Sequence, residues 1–173
     1  DAFTCEGKGG NPAGVVLDAR SLSEEQMQRI ASEFGFSETA FILPQEPKKH
    51  RVRFFTPNKE VNLCGHATIA SYFLMHHLKE IGEGAFGMDT LAGEQSVTVD
   101  SSGLVAMTQN LPAFGTTIAA EEVAASLSLT PADLGDLEAL PIQIASTGLN
   151  KIFVPVPSLE ALKRIEPNLV EID

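Results

Sequence analysis

Two short stretches of the sequence carry residue types that can move a proton or bind an anion. The first is "SETAFIL", in which apolar residues surround Glu38 where a strand is expected. Removal from water makes a carboxylate a stronger base, so such a group can take and return a proton near neutral pH. A glutamate in a strand also commonly points into solvent and has no chemical role. The stretch by itself leaves both interpretations open.

The second stretch is Cys64-Gly65-His66, which precedes a long apolar segment. Gly65 lets a ligand approach the backbone, and the free N–H groups of a helix's first turn could hold a substrate carboxylate. The positive end of the helix dipole favours a neutral His66 imidazole and would acidify Cys64 toward the thiolate. A buried cysteine followed by a histidine that merely begins a helix fits the spacing equally well.

The elements that must position these residues follow from hydrophobic periodicity. Ser23 and Gln26 have the spacing of a capping box at a helix start. The stretch "HRVRFFTP" predicts a strand that holds Arg51 and Arg53 in solvent. Residues 67–78 are apolar on every side, which predicts a fully buried helix that ends by the following glycine. Three short strands follow, so a curved sheet around one central helix is expected, and "PAFGTTI" is predicted to be a linker.

Composition narrows the class of protein. The 173 residues carry a net charge of -11, which disfavours binding to nucleic acid. No apolar run approaches the roughly 20 residues that span a bilayer, so no membrane contact is expected and the cytoplasm is the default location. The cysteines Cys5 and Cys64 form no disulfide framework, and no two histidines have the i, i+4 spacing of a helical metal pair.

One internal similarity suggests a duplication. An apolar strand, a Ser-Leu pair, an acidic residue and a helix ending in Arg-Ile occur twice, so that Ser21 and Arg29 match Ser158 and Arg164. The second copy has two residues fewer and stops at Asp173, just after its first helix. The sequence is therefore expected to hold one full domain and the beginning of a similar one.

Four motifs, in this order, resemble the phenazine-biosynthesis isomerase (PhzF-like) family: "DAFT…GNPAGVVL", "SETAFIL", "RFFTPNKEVNLCGHATIA" and "STGLNKIFVPV". That family shares its fold with diaminopimelate epimerase, and its members are much longer than this chain. The resemblance implies an α+β fold of two pseudo-symmetric domains, each a mostly antiparallel β-barrel around a central helix, with the active site between them. Residues 1–114 would be the first barrel, and residues 115–173 a linker helix and the truncated second domain.

The resemblance also implies roles for individual residues and the use of no cofactor or metal. Glu38 matches the glutamate of the family's SET motif, an acid/base, and His66 matches the histidine that binds or polarises the substrate. The catalytic aspartate of the second domain would lie beyond residue 173, so this chain alone is not expected to be a competent enzyme. The residues expected to bind substrate are Gly10, Asn11, Gly65 and Ala67.

The expected function is a cofactor-independent isomerase in which Glu38 removes a proton from a small carboxylate-containing metabolite and redelivers it. One alternative is an amino-acid epimerase or racemase that uses Cys64, which stands where diaminopimelate epimerase has a base cysteine. A histidine after Gly65 fits the isomerase pattern better. The other alternative is a small-molecule binding protein without turnover. The expected partners are a small anionic substrate and, at most, a second copy in a homodimer.

Overall fold

A computed structural model of the chain describes residues 1–134 and 140–168. The chain forms two compact units, Asp1–Gln109 and Asn110–Asp173. Among the described residues, no helix is long and apolar enough to cross a membrane.

The first unit contains seven strands and two helices. In chain order they are β1 (Gly14–Val16), α1 (Glu24–Phe34), β2 (Thr39–Glu46), β3 (Lys49–Phe55), β4 (Glu60–Val61), α2 (Gly65–His77), β5 (Gly84–Thr90), β6 (Gly93–Val99) and β7 (Val105–Met107).

The seven strands form one sheet. Six of them follow the order β1-β2-β3-β5-β6-β7, and the short β4 lies outside this order and pairs with β3. The β1-β2 and β3-β5 pairs are parallel, and the other four pairs are antiparallel. Helix α2 contacts β1 and β2 near one edge of the sheet and β6 and β7 at the other edge. One helix can touch both edges only if the sheet curves around it, which is the predicted arrangement.

The sheet is covered on both faces because its central strands alternate between two cores. Ala40 and Ile42 of β2 belong to the core that surrounds α2. Phe41, between them, belongs to the second core with Met27 and Ala31 of α1. Strand β2 therefore packs against α2 on one face and against α1 on the other, which holds it from both sides.

The predicted capping box of α1 is confirmed. The Ser23 Oγ accepts from the Gln26 backbone N–H at 3.2 Å, and the Ser23 N–H donates to Gln26 Oε1 at 2.8 Å. The helix ends at Gly35, whose φ of 69° is the left-handed conformation that glycine adopts without strain. Local sequence alone fixed both ends of this helix.

The prediction that α2 is buried on every side is wrong. Its residues Ala67, Tyr72 and Met75 are buried, but Phe73 is 51% exposed. Phe73 lines a surface groove of about 430 Å³ with Leu104 and others. The helix also ends at His77, before the glycine predicted to stop it. A half-open sheet covers only part of an apolar helix, so periodicity alone overestimated its burial.

The prediction of two solvated arginines on β3 is wrong for Arg53. Its guanidinium donates to both carboxylate oxygens of Glu60, at 2.7 and 2.6 Å, and to Glu24 of α1 at 2.7 Å. It also lies over the Phe55 ring. Only 15% of the Arg53 side chain is exposed, because α1 covers this face of the sheet. Arg51 is exposed as predicted.

The second unit is described by itself. It contains a three-stranded antiparallel sheet in the order β10-β9-β8 and a small core that includes Val123 and Ile142. The segment predicted to be a linker forms β8, so that prediction is wrong. The elements are β8 (Ala113–Thr117), α3 (Ala120–Ala124), 3₁₀ turns at Ala125–Leu127 and Pro131–Asp133, β9 (Gln143–Ser146), β10 (Lys151–Phe153) and α4 (Leu159–Lys163).

The internal similarity has a structural counterpart, with one change of alignment. The Ser158 Oγ caps α4 by accepting from the Ala161 N–H at 3.1 Å, which is the role of Ser23 in α1. Ser23, rather than the predicted Ser21, is therefore the equivalent of Ser158. That the second unit begins a similar domain stays a prediction, and its residues 135–139 and 169–173 lie outside the described part.

Candidate active site

Glu38 lies immediately before β2, where β1 holds the backbone in place. The Gly14 N–H donates to the Glu38 carbonyl oxygen at 3.1 Å. A Cβ at Gly14 would come within 2.5 Å of Thr39 Oγ1 and 2.7 Å of Phe34 Cδ2. This close approach allows β1 to pack against the start of β2, which fixes the point from which the Glu38 side chain leaves.

The other half of the site is the first turn of α2. Cys64 is the N-cap, with extended φ and ψ of -139° and 114°. Its carbonyl oxygen accepts from both the N–H and the Oγ1 of Thr68, at 3.1 and 2.7 Å. A Cβ added at Gly65 would meet nothing within 4 Å. The first turn therefore has open space beside it, as the expected approach of a ligand requires.

The fold brings three of the predicted residues together. Glu38 Oε2 lies 3.7 Å from Nε2 of His66, and Nδ1 of the same imidazole lies 3.2 Å from Cys64 Sγ. The three side chains thus form one cluster, in which the thiol also interacts directly with Glu38. Glu38 and His66, which the sequence identified as separate candidates, thus lie in one cluster, and their catalytic roles stay predictions.

The His66 imidazole is enclosed but not fully paired. Its side chain is 10% exposed and the Glu38 side chain 24% exposed. Within the described residues, Nε2 of His66 is buried and has no hydrogen-bond partner. A distance of 3.7 Å to the carboxylate is longer than a hydrogen bond. Because buried polar atoms are nearly always paired, this nitrogen is suited to an acceptor that a ligand supplies.

The prediction that the helix dipole acidifies Cys64 is wrong. Burial raises the pKa of the Cys64 thiol to about 11, and the negative charge of Glu38 contributes to the rise. The backbone N–H groups of Ala67 and His66 oppose it with a smaller effect. The thiol is only 8% exposed, so the loss of hydration outweighs the first-turn dipole. Cys64 is therefore a neutral thiol at pH 7.

The same three side chains could present metal-binding atoms. One donor atom each from Glu38, Cys64 and His66 lies within 4.8 Å of the others. A metal would bind the cysteine as a thiolate, so that its binding would release the thiol proton. The prediction that the site uses no metal or cofactor stays a prediction.

The remaining residues predicted to bind substrate lie in α2 and in the loop before β1. Ala67 is a fully buried residue in the first turn of α2. Asn11 exchanges two backbone hydrogen bonds with Ala2, and no side-chain bond of Asn11 occurs in the described part of the chain. Gly10 has a φ of 88° that lets this loop turn. The loop leads into β1 beside Glu38, and its contact with substrate stays a prediction.

The contact between Cys64 and His66 could not be predicted from spacing. Side chains two residues apart in a helix do not face each other. They meet here because Cys64 is the extended cap residue rather than part of the helix. A cap position assigned from sequence would have been the only available signal.

Comparisons with known proteins agree with this fold. The chain is 39% identical over 175 residues to "Uncharacterized isomerase YddE" of Escherichia coli K12, covering 98% of this chain and 58% of that protein. A crystal structure of a PhzF-family phenazine biosynthesis protein from Bacillus anthracis superposes with a TM-score of 0.82 and 39% identity, covering 97% of this chain and 57% of the other. The structure of a predicted epimerase from Pseudomonas aeruginosa superposes with a TM-score of 0.84 and 30% identity, covering 96% of this chain and 61% of the other.

These likenesses confirm the expected fold class, a curved sheet around a helix as in PhzF-like isomerases. They also show that the chain spans a little under two thirds of the length of these relatives. The profile of the family described as "Phenazine biosynthesis-like protein" matches residues 1–173. The chain belongs to the phenazine biosynthesis-like (PhzC-PhzF) family.

Proposed function

We propose that this protein is a cofactor-independent isomerase that moves a proton within a small carboxylate-containing metabolite. The observation that carries the proposal is the 3.7 Å distance between Glu38 Oε2 and His66 Nε2. Relatives that are named isomerases support the reaction type. The substrate class follows from the helix start, where free N–H groups favour an anion.

Glu38 is the group that transfers the proton. Its carboxylate accepts a proton from a carbon next to a carbonyl, carboxylate or diene, and the electron pair of the C–H bond moves into that neighbouring π system. The carboxylic acid so formed gives the same proton to another carbon on the same face of the substrate. No atom is gained or lost, and Glu38 returns to its starting state.

His66 and the first turn of α2 hold the substrate while negative charge develops on it. The unpaired Nε2 of His66 can donate to a substrate oxygen, and such preorganised donors stabilise a developing anion. The open space at Gly65 lets that oxygen reach the helix start. The carboxylate and the donor then act on the same substrate from adjacent positions.

The structure disfavours the epimerase alternative. A cysteine base must be a thiolate, and burial holds the Cys64 thiol in its neutral form. The second cysteine, Cys5, is exposed in a separate loop. Cys64 therefore lacks the reactive thiolate that its role as a base needs.

The test is proton exchange by the full-length protein in heavy water. Small carboxylates with a C–H bond next to a carbonyl or a diene are incubated with enzyme, and deuterium entry and isomerisation are followed by proton NMR. We expect Glu38→Gln to lower the rate by about 10² to 10⁴, the loss typical of removing a general acid/base. The amide keeps the size of the side chain but cannot take the proton.

Glu46→Gln is the matched control, because Glu46 is an exposed carboxylate at the opposite end of β2. It should leave the exchange rate unchanged. Full exchange by Glu38→Gln would contradict the proposal, and a dead Cys64→Ala beside an active Glu38→Gln would favour the epimerase. Tight binding of a carboxylate with neither deuterium entry nor isomerisation would identify a binding protein.

A further inference from the structure

Cys64 makes a contact that the proposed proton transfer does not use. Its sulfur lies 3.2 Å from Nδ1 of His66, inside the range for a hydrogen bond that involves sulfur. The thiol is 8% exposed, so water does not compete freely for this bond. One of the two groups must donate to the other, and the direction decides which imidazole nitrogen carries the proton.

The surroundings of the sulfur favour the thiol as the donor. Backbone N–H groups of Ala67 and His66 already point toward it, so its lone pairs face donors. A neutral thiol carries one hydrogen, which must be directed at an acceptor. The carboxylate of Glu38 is a second acceptor that also interacts with the thiol, but among the described residues Nδ1 of His66 is the acceptor in hydrogen-bond geometry with the sulfur, at 3.2 Å.

We propose that Cys64 is a positioning residue whose thiol donates to Nδ1 of His66 and thereby holds the proton of the imidazole on Nε2. Nε2 is the buried nitrogen without a partner in the described residues, and it faces Glu38. The hydrogen bond of the thiol thus makes the substrate-facing nitrogen a donor. This inference rests on the proposed function, in which that donor binds a substrate oxygen.

The opposite tautomer would make a different site. If Nδ1 carried the proton and donated to sulfur, Nε2 would present a lone pair toward Glu38. A lone pair cannot bind a carboxylate or carbonyl oxygen, and it would face the negative charge of Glu38. The tautomer therefore determines whether His66 assists the proposed reaction. Among the described residues, the thiol makes the hydrogen bond of the ring, since Glu38 is 3.7 Å from Nε2 and outside hydrogen-bond range.

The direct test is nitrogen NMR of the full-length protein labelled with ¹⁵N-histidine. The His66 signals are assigned by their loss in His66→Asn. We expect Nδ1 of His66 to have the chemical shift of an unprotonated nitrogen and Nε2 that of a protonated one. Cys64→Ser should keep this pattern because a hydroxyl donates in the same direction. Cys64→Ala should give averaged shifts from both tautomers.

Turnover gives the second measurement. We expect Cys64→Ala to lower the rate about 2- to 10-fold, the equivalent of one ordinary hydrogen bond, and Cys64→Ser to recover most of it. Cys5→Ala is the matched control, since Cys5 is exposed, and it should change neither spectrum nor rate. The unfolding midpoint is recorded for each variant, so that a loss of folding is not mistaken for a change of tautomer.

A protonated Nδ1 in the unmodified protein would overturn the proposal. So would a Cys64→Ala spectrum identical to that of the unmodified protein, because the thiol would then not set the tautomer. The proposed tautomer and the proposed function can fail independently of each other. If Glu38→Gln keeps full activity while Nδ1 is unprotonated, the proton-transfer role fails and the hydrogen bond of Cys64 stands.

Discussion

Two histidines make comparable contacts along helix α2: His66 belongs to its first turn, and His50 contacts Tyr72 near its middle. The comparison shows which of the two contacts serves stability and which one is placed for chemistry. At the middle, Nδ1 of His50 lies 3.2 Å from the Tyr72 hydroxyl. At the start, Nδ1 of His66 lies 3.2 Å from the Cys64 thiol. In both places a weakly acidic group in the core contacts Nδ1 of a largely buried imidazole.

The surroundings of the two rings are what differ. His50 is 6% exposed, and its ring packs against Tyr72 and Phe86. Burial lowers the pKa of His50, so it stays neutral. His66 instead faces a carboxylate and the open space at Gly65. The closed site can only stabilise the fold, whereas the open site can receive a ligand.

The largest expected effect comes from replacing each histidine by asparagine. His66→Asn should lower turnover by about 10² to 10³, as for loss of one preorganised donor, with little change in unfolding free energy. His50→Asn should destabilise the unit by about 1–3 kcal/mol, because it leaves the buried Tyr72 hydroxyl poorly paired. Turnover of the remaining folded protein should be unchanged. The two variants are compared by steady-state kinetics and urea titration, and an exchange of the two results would contradict the comparison.

A smaller effect is expected in the dependence of stability on pH. Burial raises the pKa of Cys64 from 9.0 to about 11. The contribution of the neutral thiol to the free energy of unfolding is therefore complete below about pH 9 and is lost as the pH rises from about 9 to about 11. Urea titration should show a loss of about 1 kcal/mol between about pH 9 and about pH 10 that is absent in Cys64→Ser. Burial also raises the pKa of Tyr72, whose contribution would begin to fall at higher pH.

The closed site should respond at the opposite end of the pH range. The folded-state pKa of His50 lies below its ordinary 6.5, so the unfolded chain binds the proton first as the pH falls. Stability from this group is complete above about pH 6.5 and falls below it, by at most about 1.4 kcal/mol per pH unit. His50→Asn should remove this acidic dependence. An unchanged acid slope in that variant would show that His50 is not the group responsible.

The smallest expected effect on stability is that of Gly65→Ala. A Cβ at Gly65 meets no atom within 4 Å, so the change should stabilise the protein by about 0.4–1 kcal/mol through the unfolded chain. Turnover should nevertheless fall, since the methyl group enters the space proposed for the substrate. Gly82→Ala is the matched control, because a Cβ there also meets nothing and Gly82 is outside the site. Equal turnover in both variants would exclude a ligand at Gly65.

Features that depend on neighbouring residues could be predicted from the sequence. The capping box of α1 and the strands around Glu38 and Arg51 were predictable, because each depends on residues only a few positions apart. Glu38 and His66 were identified as chemical candidates by type and motif. The structure adds that they meet, at 3.7 Å.

Other features could not be predicted, because distant segments create them. Arg53 is enclosed since Glu24 of α1 folds over β3 and Glu60 follows from the next strand. Phe73 is exposed because the curved sheet of the first unit leaves one side of α2 uncovered. Neither the covering helix nor the missing cover is visible in the local pattern of β3 or α2.

The sequence by itself determined the short-range elements, the family resemblance and the two candidate residues for the proposed proton transfer and substrate binding. The tertiary structure decided the state and partner of each group. Cys64 is a neutral thiol because packing removes it from water, an effect stronger than the helix dipole that local position predicts. It contacts His66 because the cap residue is extended. Hydration and contact distance depend on the whole fold, and no spacing along the chain encodes them.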